Sequence, residues 1–293
     1  MMRHVGVVRR LAMLAPLLAD WLGEDMRRVM HLLRVVVPGF VKKAIEHPDG
    51  DGRVFAQLVE ANPGILEDDK GGLGVDWMVG EGFNFLLAGT ETTAANLTVI
   101  VFWLLAKPEI HARLMEELGD LTPETLRWTD LENRPYMWAL VHESLRVMPG
   151  ITARTARIAR DEDLVYESQD GKVQWVIPRG TPIGMSPIIN HHDKELFPNS
   201  DEFDPDRWLV DGQRNFALAK NLMAFGKGSR SCLGENLAYC ELYIMTAMMA
   251  MRVIPRARLS GTTAEDLAYD HDMFVLQNKK GGPISVHIEV VEA

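Results

Sequence analysis

The sequence predicts a mainly α-helical protein with a small β portion, and three observations carry this prediction. A segment without proline runs from Asp76 to Lys107, long enough for a helix that crosses a whole domain. A second strong helical pattern, "GENLAYCELYIMTAMMAMRVI", follows residue 233. Between these segments, "LVYES" and "KVQWVIP" flank an Asp-Gly pair, which is typical of two short strands joined by a tight turn.

Composition and charge narrow the class of protein. Of the 293 residues 47% are hydrophobic, so the chain can build a large core, and we expect one domain over residues 1–293. The net charge of −10 argues against a nucleic-acid-binding protein, because phosphate backbones select for an excess of lysine and arginine. The two cysteines, Cys232 and Cys240, cannot form a disulfide framework, which indicates a chain that lies in or faces the cytosol.

Residues 1–72 are expected to form helical pieces, broken at Pro38-Gly39 and at "HPDGDGR". The first 25 residues imitate a signal peptide, with arginines followed by an apolar run. Pro16 and Asp20 interrupt that run, which favours amphipathic helices over a targeting segment. The run is also too short to span a bilayer, so we expect no membrane anchor here.

The segment from Asp76 to Lys107 is predicted to be a central buried helix about 45 Å long, ending before Pro108. A membrane span is the alternative, since "ANLTVIVFWLLA" is apolar nearly all round. Polar residues inside the segment argue against a span: Asn84, Glu91, Thr92 and Asn96.

Gly89 lies in the middle of this helix, where glycine costs up to about 1 kcal/mol relative to alanine. Two interpretations stay open. The glycine can let the helix open locally so that another group sits against its backbone, or it can allow a close crossing with another helix.

Glu143 and Arg146 in "HESLR" are three residues apart on a predicted helix and can therefore pair. A surface ion pair of little value is the alternative. The preceding apolar "MWALV" favours a buried pair, which needs further hydrogen-bond partners. Arg207 in "FDPDRW" can supply them, so we predict a structural network of these three residues. The C-terminal tail from Met273 to Val290 is predicted to be a hairpin.

The stretch "FGKGSRSCLG", Phe225 to Gly234, surrounds a lone cysteine with glycines and arginine. A buried cysteine that packs as a small hydrophobe is the plain alternative. However, Gly226 and Gly228 permit a close backbone approach to a flat ligand, and Cys232 precedes a helix N-terminus that favours a thiolate. A nucleophilic cysteine, as in a thiol hydrolase, needs a nearby base, and this segment has no histidine. A thiolate that faces iron in a planar macrocycle fits the pattern better.

Together these motifs resemble those of the cytochromes P450, the haem-thiolate monooxygenases. The cysteine stretch matches the ligand signature of that family at every defining position, which are Phe225, Gly226, Gly228, Arg230, Cys232 and Gly234. "AGTETT" resembles the oxygen-binding groove of the family's long central helix, and "ESLR" with "FDPDRW" resembles its buried ion network. The order and spacing are ordinary for the family. "GTETTA" and "FDPDRW" look most like fungal, membrane-attached members.

The resemblance implies the C-terminal part of the cytochrome P450 fold, with residues 73–293 as the haem-binding core. It implies Cys232 as the proximal ligand of the iron of haem b and Phe225 as a residue that packs near the proximal face. Gly226 and Gly234 are implied as further haem-binding residues of the loop. Arg230 and, less directly, Arg157 are implied as partners of the haem propionates.

On the oxygen side, the resemblance implies that Thr92 delivers protons and that Glu91 feeds them to it. Ala88 and Gly89 would border the oxygen-binding groove, and Met273 with Phe274 would touch substrate. The implied reaction is insertion of one oxygen atom of O2 into a lipophilic substrate, in fungal secondary metabolism.

The implied partner is NADPH-cytochrome P450 reductase, with cytochrome b5 as a second electron donor, and the implied state is a monomer that binds no nucleic acid. The implied location faces the cytosol, at the endoplasmic reticulum in a full-length form and in the cytoplasm for a chain without an anchor. Family members are longer than this chain, so we expect an N-terminally shortened member. The alternative function is therefore a truncated, catalytically inactive fragment or pseudoenzyme.

Overall fold

Helices dominate the computed structural model, which describes residues 23–46, 54–62, 64, 74–168, 170–273, 275–278 and 287–290. The α-helices within these ranges are α1 (Gly23–His31), α2 (Val37–Glu46), α3 (Val54–Ala61), α4 (Gly74–Ala106), α5 (Pro108–Leu118), α6 (Trp128–Leu131), α7 (Pro135–Val147), α8 (Pro187–His191), α9 (Phe216–Ala219) and α10 (Glu235–Arg252). The long proline-free helix, the helix of "HESLR" and the helix after the cysteine are all confirmed, and so is the mainly α class.

Two compact units divide the chain, Met1–Ala88 and Gly89–Ala293, and the boundary falls within α4. A single domain over residues 1–293, with a core that begins at residue 73, therefore stays a prediction. In the first unit a small apolar core forms around Val37, Val41 and Met78. The predicted break at "HPDGDGR" lies outside the described residues.

The predicted helix break at Pro38-Gly39 is wrong, because α2 runs through both residues. A π-helical turn, Leu32–Val36, immediately precedes α2 and connects it to α1 without a loop. Proline lacks an N–H group and its ring crowds the carbonyl one turn back. A wider π turn just before it relieves that crowding, so the helix continues where the dipeptide alone indicated a stop.

The main core lies in the second unit, where α7 is buried along nearly its whole length. The C-terminal half of α4 contributes Val99, Ile100 and Leu104 to this core. Helix α10 contributes Leu242 and Ala247, and α5 adds its own apolar face. The "HESLR" pair therefore sits on a core helix, as predicted.

By length and composition, two stretches among the described residues are compatible with a membrane span, Gly74–Ala106 and Glu235–Arg256. The same criteria are met by core helices of globular proteins. Both stretches supply residues to the apolar core just described, which favours the prediction of a buried central helix for the second half of α4.

The strands form antiparallel pairs, five within the described ranges. They are β1 (Arg157–Ile158) with β4 (Pro182–Ile183), β2 (Leu164–Glu167) with β3 (Gln174–Ile177), β5 (Leu209–Val210) with β6 (Gln213–Arg214), β8 (Tyr269–Met273) with β9 (Val275–Asn278), and β7 (Ala257–Leu259) with β10 (Ile288–Val290). The hairpin around Asp170-Gly171 is confirmed, with Val165 opposite Val176 and Tyr166 opposite Trp175.

The predicted C-terminal hairpin over residues 273–290 has different pairing. β9 turns back on β8, and β10 pairs with β7, the strand that follows α10. Ser260 extends the β7–β10 pairing by donating its amide to the carbonyl of His287 at 2.8 Å. The position of β7 after α10 determines which strand β10 can pair with. The local sequence pattern carries no information about that position.

Candidate functional site

The cysteine of "FGKGSRSCLG" ends a tight turn that starts at Phe225. The backbone amide of Cys232 donates to the carbonyl of Phe225 at 2.8 Å. Gly226 and Gly228 have φ of 72° and 76°, a left-handed conformation that favours glycine. A short 3₁₀ turn, Gly228–Arg230, completes the loop. The backbone at these two positions thus has a conformation that favours glycine, as predicted from the sequence.

Around the thiol, the loop presents cationic and apolar side chains to the outside. Cys232 and Arg230 are both exposed, and so are Leu233 and Leu237 at 87% and 60%. Gly234 is the residue before α10, and a β-carbon at this position would lie 3.9 Å from Sγ of Cys232. An exposed cysteine, an exposed arginine two residues before it and an apolar rim match what a flat, carboxylate-bearing macrocycle requires.

The number of metal-binding side chains fits a metal that is already coordinated by a macrocycle. Among the residues that the structure describes, no three His, Cys, Asp or Glu side chains gather into a metal-binding group. Cys232 therefore offers iron a single protein ligand, and a porphyrin supplies four nitrogens of its own. The residues present fit haem better than a zinc site, which needs three or four protein ligands.

Phe225 packs behind the loop on an aromatic pair, half-buried Tyr239 and buried His142. Its ring lies 5.1 Å from that of Tyr239, whose hydroxyl is 3.5 Å from Nε2 of His142. Burial lowers the pKa of His142 to about 3, so its imidazole is neutral, and Nδ1–H donates to the carbonyl of Trp138. A cavity of about 80 Å³ lies here, with Lys227 among its lining residues. The aromatic pair fixes the position of Phe225.

Glu143, Arg146 and Arg207 come together as predicted. The side chains of Glu143 and Arg146 are fully buried and form a bidentate pair, with N–O distances of 2.7 and 2.8 Å. Arg207 donates Nε to the same carboxylate at 3.1 Å. The other N–H groups of Arg146 bind the carbonyls of His191, Ser200 and Glu202. All five guanidinium donors of Arg146 are used, which is what a buried cation requires.

Two members of this network were missed from the sequence. The indole N–H of Trp208, the last residue of "FDPDRW", donates to Glu143 at 2.8 Å. His191, fully buried on α8, donates Nδ1–H to the carbonyl of Arg146 at 2.9 Å and accepts the amide of Met223 at Nε2 at 2.8 Å. The carbonyl of Met223 in turn accepts the amide of Gly226. His191 therefore links the ion network to the cysteine loop, and only its tertiary contacts reveal this.

The α4 residues of "AGTETT" differ in exposure. Ala88, Gly89 and Glu91 are exposed, whereas Thr92 is half-buried. A β-carbon built at Gly89 would meet no atom of the described residues within 4 Å. The described residues therefore make no close helix crossing at Gly89, and because α4 runs unbroken through this residue, local opening of the helix stays a prediction. Thr92 packs instead against Gly150, three residues after the end of α7.

The remaining candidates lie on strands. Arg157 is exposed on β1, and its guanidinium binds the carbonyl of Ala156 at 3.1 Å. Met273 ends β8, and the predicted substrate contact Phe274 lies outside the described residues. Their roles toward haem and substrate stay predictions.

The comparisons with known proteins agree on a family. The family model described as cytochrome P450 matches residues 9–253. Cytochrome P450 monooxygenase ucsK of Acremonium sp. is 35% identical over 78% of this chain and 43% of its own length. Cytochrome P450 monooxygenase MO6277 of Ascocoryne sarcoides is 37% identical over 87% of this chain and 49% of its own length. The chain thus spans less than half the length of these curated relatives.

Among solved structures, the fold matches that of the retinoic-acid-bound cyanobacterial CYP120A1. The TM-score is 0.66 over 91% of this chain and 57% of the other, with 22% sequence identity. At 22% sequence identity this similarity supports the fold alone. The fold, the cysteine loop with its buried ion network, and the family model lead to one conclusion: this chain belongs to the cytochrome P450 family.

Proposed function

We propose that the protein acts as a haem-thiolate monooxygenase, which inserts one oxygen atom of O2 into a lipophilic organic substrate. One observation carries the proposal: the signature cysteine is exposed at the end of a glycine turn, beside an exposed arginine and an apolar rim. Haem bound there would supply the activation of dioxygen. The residues of this chain would bind the haem, orient it and move protons.

On the cysteine side, Cys232 would hold the iron through its sulfur. The bond from its amide to the carbonyl of Phe225 fixes the sulfur relative to the turn. Arg230 would pair with a haem propionate, because a guanidinium matches carboxylate geometry. We assign the same role, toward the second haem propionate, to Arg157. Its Nη1 group binds a backbone carbonyl, and the Nε and Nη2 groups of the same guanidinium are suited to a carboxylate. Phe225, supported by Tyr239, would pack on the proximal side.

On the α4 side, Thr92 would hold a proton-donating hydroxyl beside the dioxygen. Glu91, exposed on the same helix, would exchange protons with solvent and pass them on. Ala88 and Gly89 would border the groove, where the lack of a side chain at Gly89 leaves space. Met273 and Phe274 would contact the substrate.

The partners follow from the electron requirement. Each turnover of a monooxygenase needs two electrons, and we propose NADPH-cytochrome P450 reductase as their source, with cytochrome b5 as a second donor. The resemblance to fungal, membrane-attached members supports our proposal of a membrane-associated, cytosol-facing whole protein at the endoplasmic reticulum. We propose a monomer that acts on a lipophilic compound of secondary metabolism.

The carbon monoxide spectrum of the reduced protein tests this function. The protein is expressed with haem supplied, reduced, and exposed to carbon monoxide. A thiolate ligand gives a red-shifted Soret band, which we expect from the natural sequence and from Cys240→Ala. Cys232→Ala should lose the band. Cys240 is a matched control because it is the other cysteine of the chain and lies on α10, half-buried.

The alternative is a catalytically inactive member of the family. A folded protein that takes up no haem, or that gives no thiolate band with haem supplied, would favour this alternative over the monooxygenase. If the band forms, NADPH consumption in the presence of the reductase distinguishes an enzyme from a haem-binding pseudoenzyme.

A further inference from the structure

We propose that Gly150 and Asn96 are positioning residues that fix Thr92, the residue to which we assign proton delivery. The inference rests on the proposed function and adds to it two residues outside the recognised motifs. Gly150 acts from the segment that follows α7, and Asn96, which lies on α4 itself, contacts Ser144 of α7. The helix of the buried ion network would therefore also set the geometry of the oxygen side.

Gly150 fills one side of Thr92. It has φ of 72°, and a β-carbon built on it would lie 3.2 Å from both Cβ and Cγ2 of Thr92. That spacing is too tight for an ordinary contact, so any side chain at this position would push on Thr92. The hydroxyl of Thr92 is not among the three atoms nearest to that position. The backbone of Gly150 therefore faces the methyl side of Thr92 and restricts its rotamer.

Asn96 holds the backbone of Thr92 from within the helix. Its Nδ2 donates to the Thr92 carbonyl at 3.1 Å, one turn back along α4. Its Oδ1 lies 3.3 Å from the hydroxyl of Ser144, whose single proton is shared with the nearer carbonyl of Val141 at 2.9 Å. The carbonyl of Thr92 can only accept, so the amide orientation of Asn96 is determined.

Gly150 and Asn96 contact different parts of Thr92, its side chain and its backbone carbonyl. Ser144 and Asn96 are 0% and 3% exposed, so their polar contact is shielded from water. Asn96 fixes where the Thr92 backbone lies, and Gly150 fixes how the side chain is turned. Because general acid catalysis depends on placing the hydroxyl within hydrogen-bond reach of its acceptor, both contacts should control proton delivery.

The first measurement tests the Gly150–Thr92 contact by thermal unfolding. Gly150→Ala should lower the melting temperature more than Gly212→Ala, by at least about 3 °C. Gly212 is a matched control because its φ is 73° and a β-carbon there meets nothing within 4 Å. Adding Thr92→Ser to Gly150→Ala removes the methyl group and should recover part of the loss. Equal losses for the two glycine variants would contradict the contact.

The second measurement tests proton delivery itself. The haem-loaded protein consumes dioxygen with NADPH and reductase, and rates are compared in H2O and D2O. Gly150→Ala and Asn96→Leu should slow consumption at least about tenfold and change the solvent isotope effect, since a misplaced hydroxyl alters proton transfer. Gly212→Ala should change neither value.

The outcomes separate this inference from the function on which it rests. If neither the natural sequence nor any variant gives the carbon monoxide band, the proposed function is wrong, and the positioning role is then wrong as well. If the band forms in all variants while the rate and the isotope effect stay at the natural values, the positioning role alone is overturned. A lower melting temperature without either kinetic change would mean that Asn96 and Gly150 are merely structural.

Discussion

The backbone amide of Met223 donates a 2.8 Å hydrogen bond to Nε2 of His191. This bond fixes the tautomer, because Nε2 must be unprotonated to accept while Nδ1–H donates to the carbonyl of Arg146. A buried, neutral imidazole thus connects the end of α7 to the turn that enters the cysteine loop. The position of the proposed iron ligand therefore depends in part on a histidine 41 residues earlier in the chain.

We expect His191→Phe to destabilise the protein by about 2–4 kcal/mol. The variant leaves a buried donor at Met223 and a buried acceptor at Arg146 without the imidazole, and each loss costs about 1–3 kcal/mol. Urea unfolding measures the change. His192→Phe is the control, because among the described residues the imidazole of this half-buried neighbour bonds only to the carbonyl of Ile188, in its own segment. Equal losses for the two variants would contradict the bridging role.

Stability should fall as the solution is acidified. Burial lowers the pKa of both His142 and His191 to about 3, well below the ordinary value of 6.5. Between these values the unfolded chain binds more protons than the folded protein, so the free energy of unfolding rises with pH across this window. The contribution of the two histidines to the free energy of unfolding is fully present above pH 6.5 and is lost as the pH falls toward 3. It is on the order of a few kcal/mol for each imidazole.

Urea titrations at several pH values between 4 and 7 measure this slope. Carboxylates contribute a slope of their own at the acidic end, so the informative comparison is between the natural sequence and His142→Phe. The variant keeps an aromatic ring against Trp138 and removes one titrating group. Its slope should be shallower above pH 5, and an identical slope would contradict the assignment to His142.

The sequence was sufficient for contacts that lie within a motif. The spacing of Glu143 and Arg146, the arginine of "FDPDRW" and the left-handed glycines beside Cys232 all take the predicted local geometry. These features depend on helix periodicity or on the conformational range of glycine, and both can be read from a short stretch.

Other features depend on distant partners and could not be predicted. His191 and Ser144 gain their significance from chain segments 30 to 50 residues away. The same holds for β10, which pairs with β7 rather than with its neighbour in sequence. The continuation of α2 through Pro38 depends on a π turn, for which "LLRVV" carries no recognisable signal.

Arg146→Lys should destabilise the protein by about 2–4 kcal/mol even though the charge is retained. Lysine has three donors and no planar fork, so it cannot replace a bidentate pair together with three bonds to carbonyls. Each lost bond to a charged group costs about 1.5–3 kcal/mol, partly offset by repacking. Chemical unfolding at pH 7 gives the value.

Arg28→Lys is the matched control for that measurement. Arg28 pairs with Glu24 on α1, and both side chains are about 70% exposed, so the pair is worth little in water. We expect a change within about 0.5 kcal/mol. A comparable loss in the two variants would mean that the buried geometry of Arg146 has no special value.

Thr246→Val should stabilise the protein by about 1 kcal/mol. Thr246 is fully buried on α10, and its hydroxyl is, among the buried side-chain polar atoms that the structure describes, the one without a hydrogen-bond partner. Such a group costs about 1–3 kcal/mol, whereas valine has the same shape and no hydroxyl to desolvate.

Thr98→Val serves as the control for this last substitution, because the hydroxyl of Thr98 donates to the carbonyl of Ala94 at 2.8 Å. Both positions are helical, so the change in helix propensity is nearly the same and cancels in the comparison. We expect Thr98→Val to be neutral or slightly destabilising while Thr246→Val raises the melting temperature by about 2–4 °C. A loss of stability in Thr246→Val would mean that a buried water satisfies its hydroxyl, since only a bound partner makes the removal of that hydroxyl costly.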